Sequence, residues 1–301
     1  MATVANWLQA MRLRTLPLAL AGIALGNLLA WQAGRFDAGI AALAVLTALL
    51  LQIVSNLAND YGDAQKGIDA HRRGPLRVVQ GGLISPRAMR RAIALGVLAA
   101  VLSGTALIVR GFAVVGYAGI MVWLWPALGA LAVSAALLYT LGKRPYGYRG
   151  YGDIAVLVFF GWLAVLGSRA LQTGTLHASA WWPATAVGLW SVMVLNLNNM
   201  RDRESDAAAG KYTLAVRLGA CGALRYHVAL LVVSWLTWAA YVLAAYPRGT
   251  AIALLLAFTA LGGSHLWRLL RHPISTTCDR ELPRWSISAL GMVVLACVLA
   301  P

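Results

Sequence analysis

Six of the ten acidic residues in this 301-residue chain fall in two short clusters, each rich in asparagine. The first runs Asn56-Leu57-Ala58-Asn59-Asp60-Tyr61-Gly62-Asp63 and continues through Lys66 and Gly67 to Asp69. The second runs Asn196-Leu197-Asn198-Asn199-Met200-Arg201-Asp202-Arg203-Glu204-Ser205-Asp206, followed by Gly210-Lys211-Tyr212-Thr213. Asn56, Asp60 and Asp63 are spaced i, i+4, i+7, and Asn198, Asp202 and Asp206 are spaced i, i+4, i+8, so each set shares one face of a helix. Two carboxylate faces brought together repel unless positive charge lies between them. Mg2+ is a hard cation that takes oxygen ligands, ordinarily one or two carboxylates together with the phosphates of a substrate. Paired Asp faces therefore suit a diphosphate held through Mg2+, with Asn56 and Asn198 adding a neutral oxygen or an amide donor one turn earlier. An isolated surface Asp is ordinarily just an ion-pair partner. Two recessed Asn–Asp clusters are not explained that way, because acids at membrane depth are costly and usually functional.

The elements that must carry these clusters are membrane spans. Hydrophobic residues make up 60% of the chain and charged residues 12%, about half the charged fraction of a soluble domain. Crossing a bilayer takes about 17–25 largely apolar residues. Nine such spans are predicted, at about 16–34, 40–59, 92–109, 113–140, 154–172, 180–200, 226–246, 249–267 and 285–300. The expected class is an all-α polytopic membrane protein forming a single domain over residues 1–301. Pro126 predicts a kink in the overlong fourth span, and Trp31, Trp181, Trp182 and Trp285 fall near span ends, where amphipathic rings suit the interface. Met1 to Arg14 shows no small-residue cleavage site, so the first span is expected to stay in place. Cys221, Cys278 and Cys297 lack metal-ligand spacing and are expected to be incidental. The five histidines show no clustering along the chain and receive no role.

With a cytoplasmic N-terminus, 21 of the 25 Lys and Arg fall on the cytoplasmic side, leaving Arg35, Arg110, Arg169 and Arg248 opposite. That bias predicts orientation and accounts for much of the +15 net charge without a nucleic-acid partner. Nine of the ten acids gather on the same side, all but Asp37. Positive-inside physics gives acids no reason to do so. The clusters emerge at the ends of the second and sixth spans, an arrangement that hints at an internal duplication.

These clusters resemble the paired Asp motifs of the UbiA superfamily of intramembrane prenyltransferases. Further segments match: Gly74-Pro75-Leu76-Arg77-Val78-Val79-Gln80-Gly81-Gly82, Tyr139-Thr140-Leu141-Gly142-Lys143-Arg144-Pro145-Tyr146-Gly147-Tyr148, Gly152-Asp153-Ile154, Phe159-Phe160-Gly161, and Gly210 to Gly219. The likeness is closest to the branch that acts on 1,4-dihydroxy-2-naphthoate in menaquinone biosynthesis. It runs from about residue 12 to 225 and fades across the last three spans. The superfamily often has a third Asp where this chain has Gly67, with Asp69 two positions later. The resemblance implies nine helices around a central cavity with cytoplasmic loop caps, and a bacterial inner-membrane enzyme whose active site faces the cytoplasm. It also implies Mg2+-dependent loss of diphosphate from a polyprenyl diphosphate, then attack by the aromatic ring carbon with departure of CO2. No obligatory protein partner beyond the lipid bilayer is implied.

On that basis Asn56, Asp60 and Asp63 are assigned to one metal, and Asn198, Asp202 and Asp206 to the other. Asn59, Asn199 and Lys66 complete the diphosphate surroundings, with Lys143, Lys211, Arg77 and Arg201 as contacts to the leaving group. Lysine is rare, three against 22 arginines, and each lies in a loop carrying a motif. Topogenic charge is the bland account of all of them. Tyr139 and Tyr146 are placed to shield an allyl cation, or to anchor the interface. Asp153 is either a helix cap or a partner for Arg144, whose planar fork suits the acceptor carboxylate; Gln52 and Arg14 are the next candidates there.

A transporter would place ionisable groups and broken helices near the midplane, whereas these span middles are apolar. A CDP-alcohol phosphotransferase would concentrate its aspartates in one Asp-Gly segment, which is absent. Acceptors such as 4-hydroxybenzoate or homogentisate remain open, since the Asp motifs do not encode the ring.

Overall fold

The computed structural model describes residues 2–67, 77–272 and 275–301, and all regular structure in them is helical. A short helix, α1 (Val4–Met11), is capped by Thr3 and ends at Arg12 in the left-handed region, φ 50°. A 3-10 turn then leads into α2 (Leu16–Gln32), with proline in its first turn, where the missing N–H costs nothing. Next come α3 (Ala38–Gln65), α4 (Pro86–Val115) and α5 (Met121–Leu138). α6 (Gly152–Val156), a π-helical stretch (Leu157–Gly167) and α7 (Ser168–Thr173) form one continuous span. α8 (Trp181–Ala208), α9 (Leu214–Ala245), α10 (Arg248–Arg271) and α11 (Ser275–Val298) complete the order. Nine helical stretches among the described residues are long and apolar enough to cross a membrane. The chain is a multi-pass membrane protein.

Several boundaries are corrected: α9 begins at Leu214 and α11 at Ser275, well before the spans predicted there, and Trp285 lies inside α11 in the core instead of at a span end. The third span runs to Val115 instead of 109, and the fourth begins at Met121 instead of 113. Arg110 looked like a loop residue, but it lies inside α4, its guanidinium 2.8 Å from Asp37 at the start of α3. The overlong fourth span of the sequence reading is thus an artefact of ending the third too early. α5 fully buries only Trp125 and packs Leu128 and Leu137 against the core, while Trp123, Leu124 and Leu131 are exposed, as lipid contact requires.

The main core gathers α2, the π-helical stretch, α8, α9, α10 and α11 around Trp190, Trp238, Phe258 and Trp285. α8 lies tightly on the π-helical stretch. A Cβ on Gly161 would fall 2.6 Å from the Ala184 carbonyl and 2.7 Å from the Gly188 Cα, so only glycine permits that approach. α8 carries the second Asp cluster, and this close packing holds it.

Candidate active site

α3 continues to Gln65, so Asn56, Asp60 and Asp63 do share a face, and all three are buried. Gly67 then turns the chain at φ +66°, a conformation that favours glycine over an aspartate. Asp69 and Gly74-Pro75-Leu76 lie outside the described residues. The Asp60 carboxylate accepts the backbone N–H of Val78 at 3.3 Å and of Val79 at 3.0 Å. Asp63 pairs with Arg77 at 3.1 Å and accepts the Tyr148 hydroxyl at 2.5 Å. The Asn56 amide donates to the Met11 carbonyl at 2.9 Å and to Thr15 at 3.3 Å, and accepts from Gln52. Asn59 accepts the Thr140 hydroxyl. Lys66 donates to the Thr140 carbonyl at 3.1 Å and sits 4.4 Å from the centre of the Tyr148 ring. Burial pulls its pKa down, partly offset by Asp63.

The second face is held by side chains. Arg201 grips Asp202 with two bonds of 2.8 Å, reaches Asn198 at 2.6 Å, and donates to Asp279 of α11 at 2.8 Å. Asp279 also pairs with Arg14 at 3.3 Å. Asp206 lies 3.3 Å from the Lys211 ammonium through one oxygen, while its other oxygen is buried without a partner. Asn199 is buried beside them.

Lys211 joins the two clusters. Burial alone would lower its pKa, but Asp63, Asp206 and Asp202 together raise it, so the ammonium stays charged. It also lies 5.5 Å from the Tyr148 ring centre, and the Tyr212 N–H donates to the Tyr148 carbonyl at 2.9 Å. Tyr139 and Tyr146 meet edge to face at 5.4 Å. Burial raises the Tyr139 phenol, with Asp153, Asp206 and Asp63 acting in the same direction. Burial alone pushes Tyr146 up to about 12, and its hydroxyl donates to the Ala135 carbonyl at 2.8 Å. Both rings are therefore neutral aromatic walls.

Lys143 and Arg144 stand further out. They line a cavity of about 550 Å3 with Arg149, Arg217, Tyr148, Tyr151 and Tyr212. Asp153 corrects the sequence reading on both counts. It caps no helix end, since α6 starts without a side-chain cap, and its carboxylate accepts the Tyr226 hydroxyl at 3.2 Å instead of an Arg144 guanidinium. Packing also brings together two histidines that are far apart along the chain: His227 and His265, 38 residues apart, lie 2.9 Å from each other in the interior. All three cysteines are free. Sequence reasoning missed Tyr148 and Asp279. Tyr148 lay inside a matched segment but carried no spacing signal. Asp279 was marked only by being one of the acids crowded onto one side.

The residues fit a divalent ion. No group of three or more His, Cys, Asp or Glu gathers among the described residues; a cation such as Mg2+ would take one or two of these carboxylates and complete its shell with substrate phosphates and water. The unpartnered Asp206 oxygen supplies a buried, charged donor of the right kind. Asp63 and Asp202 would be open to a metal on turning from Arg77 and Arg201, and both guanidiniums could then share their N–H groups with phosphate oxygens.

Residues 16–290 match the sequence pattern of the UbiA prenyltransferase family. The chain is 52% identical over 227 residues to the 1,4-dihydroxy-2-naphthoate octaprenyltransferase of Escherichia coli (strain K12), covering 75% of this chain and 72% of the relative. Among solved structures it resembles the apo structure of a UbiA homolog from Aeropyrum pernix K1, with TM-score 0.68, 17% identity, and 95% and 98% of the two chains covered. It also resembles a UbiA homolog from Archaeoglobus fulgidus bound to GPP and Mg2+, with TM-score 0.60, 14% identity, and 96% and 99% covered.

Proposed function

This chain belongs to the UbiA prenyltransferase family, and on that premise we propose that it transfers a polyprenyl group from its diphosphate to 1,4-dihydroxy-2-naphthoate, releasing diphosphate and CO2 to give demethylmenaquinol. The observation that carries the reading is the meeting of two Asp clusters around Lys211 and Tyr148, beside a buried carboxylate oxygen with no partner. Its relative from Escherichia coli is named for the same acceptor.

Breaking the allylic C–O bond puts negative charge on the leaving diphosphate and leaves a carbocation. A bound Mg2+ supplies Lewis-acid stabilisation of that leaving group. Asp63 would hold one ion and Asp202 with Asp206 a second, so that each ion takes one or two carboxylates and completes its shell with phosphate and water. Arg77, Lys211 and Arg201, the last still anchored on Asp279, would then face the departing oxygens, already buried and oriented, as electrostatic catalysis requires. Asp60 takes a different part: it ties the Val78–Val79 backbone over the site, which fixes Arg77. The Tyr139–Tyr146 pair presents aromatic faces to the cation. The electron-rich ring carbon of the acceptor then forms the new C–C bond, and the carboxylate leaves that carbon as CO2. Arg144 and Lys143, on the cavity wall, meet the acceptor's carboxylate as it arrives.

The test is mass spectrometry of lipid products after incubating the purified chain with Mg2+, octaprenyl diphosphate and competing aromatic acids. Prenylated naphthoquinol is expected; a product built on 4-hydroxybenzoate alone overturns the acceptor. The site is proposed to face the cytoplasm of a bacterial inner membrane. Cysteines at Gly34 and Pro247 should then react with an impermeant reagent in intact spheroplasts, and one at Ala70 should not.

A further inference from the structure

A second buried polar chain runs through four helices outside this site. Asn196 of α8, His227 of α9, His265 of α10 and Glu281 of α11 are each 1% exposed or less. Glu281 accepts from Arg268 at 2.7 and 3.0 Å and from Arg284 at 2.9 Å, so it is a carboxylate. His265 Nδ1, 2.8 Å from that carboxylate, must donate. At the other end, the Asn196 amide nitrogen lies 3.1 Å from the Ala223 carbonyl and 3.2 Å from His227 Nδ1. The carbonyl can only accept, so it fixes the amide orientation, and His227 Nδ1 must then be the acceptor. His227 Nε2 therefore carries the hydrogen and donates to His265 Nε2 at 2.9 Å. Both rings are neutral and the wire has one polarity, from Asn196 to Glu281.

Both ends of this wire lie on helices that also carry the site. Asp202 and Asp206 follow Asn196 on the same rigid helix. α9 is broken at Gly219 (φ 70°, ψ −178°), so the segment bearing Lys211 is not aligned by continuous helix. The Asn196–Ala223 bond closes that joint just past the break. On α11, Asp279 lies two residues before Glu281 and holds Arg201. We propose that Asn196, His227, His265 and Glu281 are positioning residues whose directional hydrogen-bond wire locks α8 against α9–α11, setting Asp202, Asp206 and Lys211 toward Mg2+–diphosphate. The proposal rests on the site reading above.

The experiment is calorimetric binding of inorganic diphosphate with Mg2+ to the full-length chain in detergent, beside turnover kinetics. His265→Phe keeps a ring on Trp285, now stacked at 4.7 Å, and removes both hydrogen bonds. It should weaken Mg2+–diphosphate binding about tenfold and lower kcat, with the acceptor KM within about twofold. His265→Gln, offering an N–H to Glu281 and an oxygen to His227, should recover to within about threefold of wild type. Asn196→Ala severs only the α8 end and should reproduce the Phe result, which decides the matter if His265→Phe does not fold. Wild-type binding in Asn196→Ala, or a Gln variant as weak as Phe, overturns the wire. Asp202→Asn separates the two readings: if it binds normally the site reading fails, whereas loss there with normal binding in His265→Phe sinks the wire alone.

Discussion

The two Asp clusters look alike as sequence and are built differently. On α3, Asp60 is taken by two backbone N–H groups, and Asp63 by Arg77 and Tyr148. On α8, Asp202 and Asp206 are taken by Arg201 and Lys211, and one Asp206 oxygen is left open. A backbone amide cannot be exchanged for a ligand without moving the loop that bears it, whereas a long cationic side chain can turn away. Under the proposed function, identical residue types at near-identical spacing divide their work: Asp60 would shape the site, and Asp206 would bind in it.

Asp206→Asn should produce the largest effect, since it removes the charge at the one buried carboxylate oxygen left without a partner among the described residues. Turnover is expected to fall about a thousandfold, ~4 kcal/mol, with backbone hydrogen exchange over Val78–Gly82 unchanged. Asp60→Asn should fall about a hundredfold, ~2.7 kcal/mol, and here exchange at Val78–Gly82 should rise, because the two N–H groups are held by different carboxylate oxygens and asparagine turns an NH2 donor toward one of them. If the two variants show the same exchange pattern, the division of labour is wrong. Tyr148→Phe deletes the 2.5 Å bond to Asp63 but keeps the ring beside Lys66 and Lys211. About a tenfold loss in kcat/KM for the prenyl diphosphate is expected, the value of one hydrogen bond to a charged group. At the opposite end of the bundle, Asp37→Asn should change turnover by less than about twofold, since asparagine caps a helix as well as aspartate does. Its signature is in pH. The Arg110 hydrogen bond holds the Asp37 carboxyl below the usual range, so its stabilisation is present above the ordinary carboxylate pKa and lost as pH falls through the folded-state value. Melting curves should show the mutant lacking that part of the acid dependence.

The spans, the two Asp faces and the family were all legible in the residues, because each depends on local rules. Apolar runs must satisfy their backbone as helices in lipid, and Asn56, Asp60 and Asp63 share a face by helical period alone. Even Gly67, noted only as a departure, announced the left-handed turn that ends α3. Which partner each carboxylate keeps was not legible, for Asp60 meets the Val78–Val79 backbone and Arg201 meets Asp279 across 78 residues of chain. Likewise His227, His265 and Glu281 have no common period, and only the packing of α9, α10 and α11 joins them. Sequence alone determined which residues bear charge and which helix face carries them. Tertiary structure decided which charges neutralise one another and which oxygen stays open, because electrostatic and hydrogen-bond energies depend on distance through space and not along the chain.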